Sequence, residues 1–281
     1  MKMKKIIAII LAIITIVGCV FAFTACKKYD YKVGVQSGTT GEYFVSGNED
    51  WDFEGFDNID CKGYQNGGLA VQDMKAGQID FVVIDEAPAK RLAQSVDGIK
   101  VIDIKLTEEE YAFGVDKNQP TLLASANAVL ATIKANGTFD AIMNKYFAGE
   151  GEIVGIESAT YDASKSQLVV ATNAQFAPFE YKIGDKFAGV DMEIAKLIAD
   201  TLQMELVIMD MDFDAVVTSV GKNGVDIAMA GLTVNDERKK SVNFSDSYYN
   251  ASQMLIVKAD DTTFDACTTA DDVINILKKK A

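Results

Sequence analysis

No histidine occurs anywhere in the chain, which excludes Ser-His-Asp and Cys-His nucleophiles and histidine-ligated metal sites. What remains for chemistry is charge and hydrogen bonding at a few strand ends. Asp85 closes the apolar run Ile79 to Ile84. Ser37-Gly38-Thr39-Thr40-Gly41 is a Gly-rich turn ahead of a helix, and Arg238 stands in the charged run Asp236 to Lys240, just beyond Gly231-Leu232-Thr233. Taken singly, each is ordinary. An Asp at a strand end is usually a turn or cap, a Gly-Thr-Thr stretch is usually a turn, and an Arg in a charge run is usually solvated. Their weight depends on the elements that position them.

Those elements repeat. Tyr31 to Gln36 is a Val-rich strand that runs into the Gly-rich turn and a helix. Leu69, Val71 and Met74 lie on a second helix that stops at Gly77, and Ile79 to Ile84 is a strand buried on both faces. Residues 167–258 follow the same plan. An apolar strand, Gln167 to Thr172, leads into a loop, Asn173 to Tyr181. Asp191 is placed to cap a helix with Ile194, Ile198 and Leu202 on one face. A helix from Phe213 stops at Gly221 or Gly224, and Val225 to Ala230 is another buried strand. Alternating strands and helices predict a parallel α/β sheet, here two of them. Between the halves, Pro120 to Asn136 reads as a helix stopped by Gly137. Thr138 is placed to cap the next helix, and 149–166 is an acidic, unpatterned linker.

The first 25 residues differ in kind. Lys2, Lys4 and Lys5 precede an apolar run from Ile6 to Ala25, the layout of an export signal. The run ends at Cys26, followed by Lys27 and Lys28, as at a lipoprotein processing site; Cys19 fits the same pattern, but apolar sequence follows it. An uncleaved membrane anchor is the alternative, and either way the rest of the chain is expected outside the membrane. If Cys26 is the lipidated start, three of the 27 basic residues leave, and the remaining 24 face 41 acidic ones, a net charge of −17. Such a surface repels phosphate backbones, so no nucleic-acid partner is expected. Only Cys61 and Cys267 lie beyond the signal. Free thiols are favoured there over a bridge.

The segments just described resemble the amino-acid-binding proteins that serve ABC importers, the bacterial extracellular solute-binding proteins of family 3. The stretches carrying the resemblance are LVVATNAQFAPFEY (168–181), GVDME (189–193), DMDF (210–213), AGLT (230–233) and ERKKSVNFSD (237–246). VQSGTTG (35–41), DFVVID (80–85) and NGTFDAIMNKYF (136–147) resemble the family's later motifs. The order is exchanged: in the family the Leu168 segment comes first. The C-terminal helix from Asp271 to Lys280 resembles the one that normally runs straight into the strand Tyr31 to Gln36. The sequence therefore reads as a circular permutation, the rival reading being two incomplete half-genes fused, each needing a partner. The resemblance implies an α/β fold of the two-lobed periplasmic-binding-protein type 2, two doubly wound sheets joined by a hinge. Lobe 2 would be 31–110 with 252–281, and lobe 1 would be 111–251, including the 149–166 linker. Hinges are expected at Thr107–Tyr111 and Tyr248–Ser252.

The resemblance also implies roles. A free amino acid needs charged or dipolar partners for its carboxylate and ammonium, or desolvation defeats binding. Arg238 resembles the family's carboxylate clamp, assisted by Thr39 and Thr40; Asp85 resembles the ammonium partner. Thr233 and Gly231 resemble further contacts through hydroxyl, carbonyl and amide groups, and Phe176 and Phe213 resemble aromatic walls. Asn173, Gln36 and Ile84 are placed to tune side-chain preference. With no carboxylate at those positions, a polar uncharged or small ligand is expected. No metal, cofactor or catalytic residue is implied. The partners implied are the amino acid, an ABC permease and, through the lipid, the membrane. Two other roles fit this architecture: a ligand-sensing subunit of a signalling system, and a dehydratase-like enzyme in which Glu86 would be the nearby acid–base group.

Overall fold

The computed structural model describes residues 29–278. The export segment, Cys19, Cys26, Lys27, Lys28, Lys279 and Lys280 lie outside the described residues. Two five-stranded sheets organise the rest. The first runs, edge to edge, Ile59–Tyr64, Tyr31–Gln36, Phe81–Asp85, Gln253–Lys258, Ile99–Ile102. The second runs Glu205–Asp210, Gln167–Thr172, Ile227–Ala228, Gly114–Asp116, Val242–Phe244.

Strand alternation explains why each sheet is covered on both faces. In the first sheet Val82, Ile84, Met254 and Ile256 point to one side, where they pack with Ala70, Val71 and Met74 of the helix Gly67–Lys75. Val33, Val35, Phe81, Val83, Leu255 and Val257 point to the other, against Phe44 and Val45 of Thr40–Ser46 and Val273 and Leu277 of Ala270–Lys278. The second sheet does the same. Leu168 and Val170 join a core with Ile194 and Ile198 of the helix Val190–Thr201. Val169 and Ala171 meet Phe213 and Val216 of Phe213–Ser219. Period-2 side chains on a doubly covered sheet read as the continuous apolar runs seen in sequence.

Several expectations are corrected. The sheets are mixed rather than all parallel. Gln253–Lys258 pairs antiparallel with both neighbours, and Gly114–Asp116 does so in the second sheet. These two strands follow the crossings between sheets and enter from the opposite direction. The strand expected at Val225 to Ala230 pairs only over Ile227–Ala228, although Asp226 N and Met229 N still donate to Val169 and Ala171 of the neighbouring strand. The stretch Asn173 to Tyr181 is not a plain loop: Gln175–Phe176, Glu180–Ile183 and Lys186–Ala188 form an antiparallel ribbon. Neither predicted cap acts as one. Gly189 and Gly137 occupy the cap positions, leaving Asp191 and Thr138 inside their helices. Leu202, expected on the apolar face, is only half-buried at the helix end.

Two crossings join the sheets, and there Glu109–Tyr111 pairs antiparallel with Tyr249–Ala251 as a separate two-stranded ribbon. The 149–166 segment is irregular yet anchored. Ile156 bridges to Phe187, and Ala159 N donates to Leu206 O at 2.8 Å, along the edge of the second sheet. Cys61 and Cys267 are free thiols, both half-buried; burial pushes the Cys61 thiol up to about 12. Among the described residues no helix is long and apolar enough to cross a membrane, and no His/Cys/Asp/Glu cluster could hold a metal.

Candidate functional site

The carboxyl ends of the central strands of both sheets face one another beside the crossing ribbon, and the polar side chains gathered there are buried. Asp85 ends its strand and precedes the helix Glu86–Ser95, to which its side chain gives no capping bond. Instead it accepts from the Tyr111 hydroxyl at 2.5 Å. Burial, reinforced by the nearby Glu109 carboxylate, raises its pKa to about 7. Tyr111 belongs to the crossing ribbon and is itself wholly buried, packed edge-on against Phe179.

Glu109 is the hub. Its Oε2 accepts from the Thr233 hydroxyl at 2.6 Å, and its Oε1 accepts from Thr107 Oγ1 at 2.6 Å and from Gln253 Nε2 at 3.0 Å. Since Thr233 donates its one hydroxyl proton to Glu109, its oxygen is left as an acceptor. Thr40 of the other sheet's first helix donates to it at 3.2 Å. Thr39 instead turns its hydroxyl onto the Gln36 carbonyl at 2.7 Å, closing the Gly-rich turn.

Arg238 lies on the short helix Asp236–Lys239, which Asn235 caps by accepting from Arg238 N. Its guanidinium is buried. Nη1 donates to the Thr233 carbonyl at 2.8 Å, and Nη2 crosses to the Gly38 carbonyl at 3.2 Å. The Cζ atom sits over the rings of Trp51 and Phe213, at 5.0 and 5.3 Å. Among the described residues no carboxylate comes within ion-pairing distance of it. Burial lowers its pKa to about 10, against the opposing pull of Glu109, Tyr43 and Asp85. Gly38 has a left-handed φ of 77°, and a Cβ there would meet the Asp214 backbone at 3.1 Å. Only glycine lets the turn come this close to the other sheet's helix.

The remaining expected residues divide. Gln36 Nε2 donates to Asn173 Oδ1 at 3.0 Å across the two sheets, leaving Gln36 Oε1 buried without a partner. Phe176 packs over Gly231 and against Phe179. The Gly231 amide, expected as a ligand contact, is occupied: it donates to Asp191 Oδ2 at 3.0 Å, so its carbonyl is the group it can offer. Phe213 lies against the Arg238 guanidinium. Ile84 points into the core against Gly67 and Leu92, on the strand face that Asp85 does not share. The structure does not bring it to the others.

Several residues of this site were given no site role in the sequence. Asp191 accepts from the Tyr248 hydroxyl at 2.6 Å as well as from Gly231, and burial raises its pKa to about 7. Glu180, on the ribbon, is 0% exposed and neither carboxylate oxygen has a partner. Burial first, then Asp191 and Asp85, raise its pKa well above the carboxylate range. A lone acid inside the aromatic stretch Phe176 to Tyr181 was the available signal. Trp51, the chain's single tryptophan, gave none. Taken together, Asp85, Glu109, Glu180 and Asp191 are buried acids, and Arg238 is the buried base among the described residues. The arrangement suits a small molecule with one anionic and at least one cationic end.

Comparison with known proteins bears on this. Residues 168–280 match the sequence profile of the bacterial extracellular solute-binding proteins, family 3. The arginine-binding extracellular protein ArtP of Bacillus subtilis is 40% identical over 38% of this chain and 42% of its own length. The lysine/arginine/ornithine-binding periplasmic protein of Escherichia coli is 29% identical over 41% of this chain and 45% of its own. A solved structure, the arginine-bound form of domain 1 from TmArgBP, is 30% identical over 42% of this chain and 98% of that one, with a TM-score of 0.29. The matched stretch thus spans less than half the length of these curated relatives.

Proposed function

We propose that the chain, whose residues 168–280 match the profile of the bacterial extracellular solute-binding proteins, family 3, captures one free amino acid between two lobes and delivers it to an ABC importer. The lobes are 31–110 with 252–281, and 111–251. One observation carries the reading: a buried guanidinium satisfied by carbonyls and rings, with no carboxylate of its own. A buried charge left unpaired is costly, and a ligand carboxylate completes it with two parallel hydrogen bonds. Asp85 and the acceptor oxygen of Thr233 receive the ammonium. Since Thr40 and Asp85 belong to one sheet and Arg238 and Thr233 to the other, the ligand favours the closed state by differential affinity.

Glu180 extends the reading to the side chain. The expectation of an uncharged ligand rested on the absence of a carboxylate beside Asn173 and Gln36. Glu180 supplies an unpartnered one near Asp85, so the ligand is a cationic amino acid, as the arginine-binding names of the relatives support. The enzyme alternative loses ground at Glu86. Its partial burial is outweighed by Lys90 at 2.7 Å and Lys105 at 3.4 Å, which hold its pKa low and occupy it. Lipid attachment at Cys26 and circular permutation belong to the same proposal.

A thermal-shift panel of the common amino acids tests it. At 100 times its dissociation constant the true ligand adds ~2.7 kcal/mol of stability by mass action. L-arginine should raise the melting temperature of the parent and leave Arg238→Ala unmoved. A panel in which no amino acid stabilises the parent, or in which Arg238→Ala responds equally, sinks the site.

A further inference from the structure

We infer that Trp51 is a positioning residue for Arg238, brought over the guanidinium from the opposite sheet only when the two halves meet. This rests on Arg238 being the carboxylate's partner. Trp51 ends the single turn Glu49–Trp51, whose start is fixed by Asn48 accepting from Asp50 N at 2.9 Å. The loop is tied at its neck by the Asn48–Phe53 bridge and by Gly55, where a Cβ would come within 2.3 Å of Gly47 N. It follows the helix Thr40–Ser46 on the first sheet, and the Trp51 ring is braced by Tyr43 at 4.4 Å between centroids. Arg238, by contrast, is carried by the helix ahead of Val242–Phe244 in the second sheet. The ring therefore spans the two halves, and only closure places it 5.0 Å from Cζ.

The chemistry explains the choice of an aromatic. The face of an indole ring stabilises a desolvated guanidinium through its quadrupole, and it does so without taking up an N–H donor. Arg238 has five such donors, of which the Thr233 and Gly38 carbonyls engage two nitrogens. A carboxylate in Trp51's place would neutralise the cation and compete with the ligand. A ring covers the guanidinium and leaves its edge to the ligand's carboxylate.

Because the chain holds one tryptophan, its emission reports the surroundings of this ring, to which Arg238 and Tyr43 both contribute. The test titrates the detergent-solubilised full chain with L-arginine, following emission and calorimetric heat in parallel. Emission should change with the same midpoint as the heat. By calorimetry, Trp51→Phe should stay within about twofold of the parent affinity, and Trp51→Leu, which keeps apolar cover but no π-face, should weaken about tenfold. Heat without any emission change overturns the latch and leaves amino-acid binding standing. Equal affinity of Trp51→Leu and parent, or equal loss in the Phe and Leu variants, also overturns it. Absence of heat in the parent overturns both this role and the function on which it rests.

Discussion

Among the described residues four acids and one base are buried, and this imbalance makes the ligand-free molecule sensitive to pH. Asp85 and Asp191 are raised to about 7 from 3.8, and Glu180 is raised well above 4.5, burial being the leading cause each time. A carboxyl raised on folding contributes stability that is fully present below its unfolded pKa and disappears as pH rises through its folded value. Carboxylates with lowered pKa values act below about pH 4, outside this window. The ligand-free chain should therefore melt at a higher temperature at pH 5 than at pH 8. Glu180→Gln should flatten that slope, and saturating L-arginine should flatten it further by pairing the acids with cations. A melting temperature independent of pH from 5 to 8 without ligand would show these acids to be solvated. Arg238 and Asp85 were legible in sequence because each sits in a multi-residue motif. Asp191 and Glu109 were not, because their roles depend on partners 40 or more residues away, and Glu180 was not, because its burial is set by how the ribbon folds back.

Among elements, the antiparallel ribbon 175–188 matters most, since it carries Phe176 and Glu180 and folds back onto the start of the helix Val190–Thr201. The sequence read it partly as a loop because strands of two to four residues leave no periodicity to detect. Its return is made by Gly189, at φ 125°, where a Cβ would lie 2.0 Å from the Phe179 carbonyl oxygen. Gly184, at the ribbon's tip, also has a left-handed φ of 62°, but a Cβ there meets nothing within 4 Å. The two glycines separate conformational strain from collision. Gly189→Ala should cost on the order of 3 kcal/mol, a fall in melting temperature of roughly 6–12 °C for a chain of this size. Gly184→Ala should cost about 1 kcal/mol, the price of the backbone region alone. Equal losses by differential scanning calorimetry would mean that the ribbon shifts to accommodate the methyl group. The strand Val225 to Ala230 shows the opposite limit. Its apolar pattern was read correctly as buried and extended, but side-chain pattern does not specify how many residues complete a ladder.

For the whole molecule, the doubly wound pair of sheets was legible because both halves carry the same alternation of apolar strands and helices. The antiparallel strands were not, since direction depends on which crossing a strand follows. Segment order gives the last prediction. The Asn58 side-chain amide donates both to Asp30 Oδ2 at 3.0 Å and to the Leu277 carbonyl at 2.8 Å. One side chain thus touches the residue before the first strand and the last turn of the final helix. Ends this close can be joined by a short turn without moving either element. Conversely, 149–166 crosses the edge of the second sheet through few backbone bonds and carries exposed Val154 and Tyr161, so a cut there removes little packing. A chain rebuilt to start near Ser166, run through the final helix into Tyr31 and end near Gly149 should fold cooperatively. It should bind L-arginine within about threefold of the parent, because loop-closure entropy changes only slowly with loop length. Loss of cooperative unfolding in that chain would show that the present order is required by the fold, whereas folding with lost binding would place the requirement at the hinge ribbon.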